Sequence, residues 1–307
     1  MIFAVLGLVF VGLSWTFVGV VMGSAPKKGL SAAVVQATGG IVPAVVGILV
    51  IYSGILAPVD WSAAYCWKAV AFYLSSAFLN FLMLQTMSAA MQRGPNSVIW
   101  AMTQSGMLLT FLYGVVVEGD AMNMIRGAGI VLLLGAMVCF GVSKNNTAAD
   151  GKPWLFLGIL SFLLCGSTQI AASIPSYDPR IQEGFNYVAR SIVVGAGMAV
   201  SGFAWIVCKD RAACFHEMAA HFRDRRFWLY ILLLQGFGLI SAYFLIYRCM
   251  DALAAEGIGS ASYPVMVSSC LIGFILYSRF ILRERMKLLQ WIGLACCIAG
   301  VILICVK

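Results

Sequence analysis

Carboxylates are the scarcest chemistry in this chain. Its 307 residues hold twelve Asp and Glu. None lies in the middle of a long apolar run; those nearest to one, Glu118, Asp120, Asp178, Glu183, Asp251, Glu256 and Glu284, sit at run ends or between runs. An acidic residue at mid-membrane depth is the usual device for exchanging protons against organic cations, so that design is excluded. Metal and disulfide signatures are missing too. No C-x-x-C pair occurs, and six of the ten cysteines (Cys139, Cys165, Cys249, Cys270, Cys296 and Cys297) lie inside apolar runs, where they read as small packing residues. "HEMAAH" (216–221) spaces its histidines five apart, off a common helix face, and reads as a solvated amphipathic loop helix rather than a zinc site. No metal and no cofactor is expected. Nothing is spaced as a nucleophile or an acid–base pair, so an enzyme is not expected either.

What the chain has in excess is apolar surface. Hydrophobic residues make up 62% and charged residues 10%, against roughly 45–50% and 25% in ordinary soluble domains. A core of this size cannot hold that excess, so much of it must face lipid. The net charge of +8 sits in short Lys/Arg clusters between the apolar runs, where it orients helices in a bilayer. No nucleic-acid partner is implied; the lipid bilayer is the expected partner and a bacterial inner membrane the expected location. The N-terminal stretch lacks a basic region and a cleavage site and reads as a retained first helix.

Runs long enough to span the hydrocarbon core fall at 2–23, 31–52, 64–87, 95–117, 122–143, 154–173, 186–208, 227–249, 258–281 and 288–306. An offset of 163 lays runs 3–4 on runs 8–9, pairing Phe81 with Phe244, Met87 with Met250, Gly94 with Gly257, Ser97 with Ser260, Trp100 with Tyr263, Ser105 with Ser268 and Phe111 with Phe274. After a shift of two or three residues Glu118 meets Glu284 and Gly135 meets Gly300, while runs 2 and 7 share glycines at Gly40/Gly195 and Gly47/Gly202. The fold expected is all-α: ten transmembrane helices as two five-helix repeats, 1–147 and 148–307. Five is odd, so the second copy enters the membrane inverted, as in secondary transporters. Gly39, Gly40, Gly47, Gly127, Gly135, Gly293 and Gly300 would let helices approach closely.

The 5+5 repeat, the glycine-small-aromatic entry to runs 4 and 9, the glutamates at their far ends and the glycine-spaced runs 5 and 10 resemble the ten-helix, EamA-type branch of the drug/metabolite transporter superfamily. The resemblance covers essentially the whole chain. Within it, "SAPKKGLSAAVVQATGGIVP" (24–43) is similar to the helix 1–2 junction of the rhamnose/glucose porter branch. The resemblance implies alternating access around a cavity between the halves, lined by helices 1, 3, 4, 6, 8 and 9, with a small polar metabolite as substrate. A sugar or polyol uptake carrier is the nearest alternative, and a non-transporting receptor or scaffold the alternative class. The Lys/Arg bias places both termini outside, whereas many relatives have both inside.

Polar residues within a span must find a protein or water partner, so they mark the bundle interior or a cavity. On run 4, Asn96, Trp100 and Gln104 fall at i, i+4 and i+8 and share a face. On run 8, Gln235, Tyr243 and Tyr247 share one, and Asn80 of run 3 is the repeat partner of Tyr243. Tyr263 matches Trp100, while runs 1 and 6 add Ser14, Trp15, Ser167 and Gln169. These form a neutral substrate wall of amides, hydroxyls and aromatic faces; the alternative is that they are interhelical hydrogen bonds. Arg190 and Arg248 are the cations inside spans. Each is either an anion anchor or paired with Asp178, Glu183 or Asp251, or reaches the headgroups. Proton or sodium coupling, for instance through Glu118 or Glu284, stays open alongside exchange and facilitated diffusion.

Overall fold

The computed structural model describes residues 1–54, 59–94, 96–142, 153–209, 214–241, 245–280 and 288–304. Among the described residues the regular elements are helices, with no strand. In chain order they are α1 (Ile2–Ser24), α2 (Ala32–Tyr52), α3 (Ala64–Met91), α4 (Asn96–Gln104), α5 (Met107–Val116), α6 (Met124–Val142), α7 (Pro153–Ser173), α8 (Pro179–Gly184), α9 (Tyr187–Lys209), α10 (Cys214–Arg223), α11 (Arg225–Ile240), α12 (Ile246–Ala255), α13 (Ser262–Phe280) and α14 (Leu288–Ile304). Among the described residues six stretches are long and apolar enough to cross a membrane: Ile2–Ser24, Ala32–Tyr52, Ala64–Met91, Ile99–Val116, Trp154–Tyr177 and Tyr187–Lys209. Large apolar side chains such as Phe3 (90% exposed) and Met124 (95%) cover the outside. That surface is compatible with an integral, multi-pass membrane protein, in which lipid meets it.

Local chemistry explains several boundaries. Asp178 caps α8 by accepting the Arg180 N–H, and Asp224 caps α11 by accepting that of Arg226. The fourth apolar run is not one helix. It breaks at Ser105–Gly106, where Gly106 N–H reaches Thr103 O and Leu108 N–H reaches Ser105 O, bonds of the tighter three-residue kind. At this point α7 comes close: a Cβ on Gly106 would stand 2.7 Å from the Gly166 backbone nitrogen. Of the eighth run the described parts include α11 and α12, and residues 242–244 between them lie outside the described residues. The loop between α9 and α11 carries α10, the amphipathic helix expected around "HEMAAH", and there His221 Nε2 accepts the Ser31 N–H at 2.7 Å.

The most extensive helix pairings are α2 with α9, α6 with α14, α3 with α7 and α1 with α13. At the first, backbones touch. A Cβ on Gly40 would lie 2.5 Å from the Gly195 carbonyl oxygen, and one on Gly195 2.7 Å from that of Gly40. Gly129 and Gly300 stand in the same relation at α6/α14, each 2.9 Å from the other's carbonyl oxygen. The sequence had counted Gly135, the repeat mate of Gly300, among the glycines of close approach. Gly135 instead faces outward with nothing within 4 Å of a Cβ, and Gly129 makes the contact.

These contacts set an expectation for stability. Gly40→Val forces two backbones apart and is expected to cost on the order of 1–3 kcal/mol. Gly135→Ala meets open space and is expected to be neutral or to stabilise by up to about 1 kcal/mol. Thermal unfolding of the purified protein in detergent micelles measures both.

Candidate functional site

Polar side chains that the chain spreads from Ser14 to Tyr263 converge on one cavity of about 320 Å³. Its walls come from both halves of the sequence, α1 to α4 from the first and α7, α9 and α11 to α13 from the second. Among the candidate residues, Trp15, Asn80, Trp100 and Gln104 line it from the first half, and Gln169, Gln235, Tyr247 and Tyr263 from the second. The side chain of Asn96 and the whole of Tyr243 lie outside the described residues. Among the described lining residues none is charged.

The aromatic members form two groups. Trp15 and Tyr263 face each other with ring centroids 6.2 Å apart. Trp100, 2% exposed, stacks on Phe274 at 5.9 Å and lies on α1, where a Cβ on Gly19 would come within 2.9 Å of its ring. Hydroxyls and amides knit the walls together. Ser14 and Ser241 share a hydrogen bond of 2.8 Å, Gln235 Nε2 donates to Gly39 O at 2.7 Å, and Ser76 Oγ donates to Thr168 O at 3.0 Å. Gln169 Oε1 accepts from Thr110 Oγ1 at 3.1 Å.

Arg190 stands apart from the cavity. It is 1% exposed, and every nitrogen of its guanidinium is engaged: Nη1 donates to both oxygens of Asp251 at 2.8 Å, Nε to Phe185 O at 2.9 Å and Nη2 to Ile181 O at 3.1 Å. Its face also covers the Tyr247 ring, 5.8 Å from the centroid. Of the three roles the sequence left open for Arg190, the geometry is that of an ion pair, and Asp251 is the partner. Arg248 is exposed and lies over the Tyr187 ring at 5.2 Å. Asp178 binds Arg180 and Lys68, and Arg180 chiefly holds its carboxyl below the usual carboxylate range.

Sequence reasoning missed several members of the lining, chiefly Gln36, Thr168, Ser76 and Ser191. A signal for Gln36 was present: Gln36, Gly40 and Pro43 fall at i, i+4 and i+7, one helix face, and all three line the cavity. Ser167 was expected inside but is exposed, while its neighbour Thr168 lines the wall. One residue turns a helix by about 100°, enough to swap the faces. Ser260, the repeat mate of Ser97, is buried away from the cavity. Its N–H donates to Asp120, its Oγ accepts from Arg126 Nη2 at 3.1 Å, and Tyr177 Oη donates to the same Asp120 at 2.9 Å. Arg126, fully buried and also bonded to Ile304 O, was not singled out in the sequence because it sits at the start of an apolar run. The side chain of Ser97 and all of Glu284 lie outside the described residues; Glu118 accepts from Tyr113 Oη at 2.8 Å. No cluster of metal-ligating side chains occurs among the described residues.

Removing one member of a buried pair strands the other. Asp251→Ala is therefore expected to destabilise by about 3–5 kcal/mol, and the double variant Arg190→Met/Asp251→Leu to recover much of that loss. Thermal denaturation of the three proteins in one detergent is the measurement.

No family model and no curated protein matches this chain. Among solved structures, one crystal structure, described only as that of a protein, superposes with a TM-score of 0.64 at 13% identity, over 96% of this chain and 94% of the other. At that identity the likeness is one of fold, and the fold extends over nearly the whole chain.

Proposed function

We propose that this chain is a secondary transporter of the drug/metabolite transporter superfamily, EamA-type branch, with ten membrane spans arranged as two inverted five-helix repeats, 1–147 and 148–307. The observation that carries this reading is the convergence of uncharged amide, hydroxyl and aromatic side chains from both halves on one cavity. Helix pairing supports the repeat. Runs 2 and 7 pair with each other, as do runs 5 and 10; these are α2/α9 and α6/α14. The pairing of run 3 with run 6 (α3/α7) has its counterpart in run 8 with run 1 (α11 and α12 on α1). Likewise run 1 with run 9 (α1/α13) matches run 6 with run 4 (α7 on α4 and α5). A two-fold relation between the halves would produce this set, which supports the proposed repeat.

On this reading a small polar metabolite binds between the halves, and alternating access opens the cavity to one side and then the other. The Asp120–Tyr177–Ser260 network and the Arg190–Asp251 pair are joined by the segment 174–190, which supplies Tyr177 to one and Ile181, Phe185 and Arg190 to the other. They would close the same end of the bundle and part together. Reconstitution into liposomes tests the proposal. Saturable counterflow is expected, and Gln104→Leu, Gln169→Leu and Trp100→Ala are each expected to reduce it about tenfold or more at unchanged expression, the loss of one or two ligand contacts. Undiminished counterflow in all three variants would remove the site assignment, and no counterflow with any metabolite would favour a receptor or scaffold.

A further inference from the structure

The hydrogen-bonding groups of the cavity are only half used. Gln36 is 3% exposed, its Nε2 meets nothing stronger than the Met22 thioether sulfur at 3.4 Å, and its Oε1 has no partner. Whichever way the amide is turned, one end faces sulfur and the other nothing. Asn80 and Gln169 repeat half of the pattern, donating to Met198 Sδ at 3.6 Å and Cys165 Sγ at 3.2 Å. The Trp100 Nε1–H and Thr168 Oγ1 are enclosed without a partner. Sulfur is a weak acceptor, and methionine is flexible and easily turned aside. Amides resting on it are kept available rather than committed. An enclosed polar atom left unpaired costs free energy that a ligand with the matching group recovers.

We infer that the ligand of this cavity is an uncharged, single-ring molecule bearing at least one N–H or O–H donor and one oxygen or nitrogen acceptor. It is taken by Gln36 and Trp100, which both rest against the Gly19–Met22 turn of α1, and by Thr168 and Gln169 on α7. A carboxylate or ammonium would enter a lining with no counter-charge among its described residues, and the cation at hand, Arg190, is spent on Asp251. Desolvating an unpaired ion there is costly. The volume, about 320 Å³, lies at the small end of the roughly 300–1,000 Å³ typical of ligand sites. Trp15, half-buried in the lining, offers a face for a ring to lie on. A neutral monosaccharide and an uncharged nitrogen heterocycle share this chemistry. The inference rests on the cavity being the transport site, but binding can be measured without flux.

The test is ligand-induced thermal stabilisation of the purified protein, using matched sets at equal concentration: glucose with glucuronate and glucosamine, and uracil with orotate. The neutral member of at least one set is expected to raise the melting temperature while its charged analogues do not, and the set that responds identifies the ring. Gln36→Leu and Thr168→Val are expected to weaken that binding about tenfold each. Both should leave the ligand-free melting temperature unchanged or higher, since each removes an unpaired polar atom. Stabilisation by a charged member equal to that by its neutral partner overturns the inference. So does the absence of a shift with every neutral compound, or a lower ligand-free melting temperature in both variants. Counterflow separates the two readings. A neutral ligand that binds without counterflow sinks the transport reading alone, whereas counterflow of glucuronate or orotate sinks the ligand class alone.

Discussion

The contact between the backbones of Gly40 and Gly195 is the constraint on which the site depends. It brings α2 and α9 together at carbonyl distance, and the same two glycines line the cavity. Pro43, one turn on from Gly40, and Ser191 and Met198, about one turn either side of Gly195, then extend that wall. Apolar helices gain little from hiding oily surface when lipid tails are as apolar as leucine, so close packing of small residues decides which helices associate. Gly129 and Gly300 do the same for α6 and α14, helices that contribute nothing to the described lining. One glycine pair builds a wall of the site; the other braces the frame around it.

Charge is sorted by position. The ionic groups packed into the interior, Arg190 with Asp251 and Arg126 with its bonds to Ser260 and Ile304, stand at helix ends and carry several hydrogen bonds each. A buried ion is tolerated when its bonding is complete and is costly otherwise, so Arg190, with every guanidinium nitrogen engaged, latches the fold and offers nothing to a ligand. The cavity follows the opposite rule. Its polar atoms are neutral, and the amides of Gln36, Asn80 and Gln169 that rest on sulfur are held weakly enough there to change partner.

How much of this could be read from the chain differs residue by residue. The apolar runs were legible because a span needs about twenty such residues in succession. Trp100 and Tyr263 were legible because the repeat pairs them, and Gln104 because it follows Trp100 by four. Gln36 was overlooked among small residues, and Ser167 was taken in place of Thr168, because polarity marks a helix as having an inner face without fixing its rotation. Gly135 was preferred to Gly129 for the same reason. The close approach at Gly106 was invisible, since the backbone it meets, that of α7, lies some sixty residues away in the chain.

By itself, then, the sequence determined that the chain is helical and lipid-compatible, that its interior is polar without central carboxylates, and which residues are rare enough to form a site. Those are properties of composition and spacing, and composition and spacing are linear. The tertiary structure decided the rest: that Arg190 belongs to Asp251 rather than to a ligand, that Ser260 belongs to Asp120, and that Gln36 faces the cavity with one end of its amide unpartnered. Each of these depends on the angle at which two helices meet, and that angle is fixed by contacts between residues far apart in the chain.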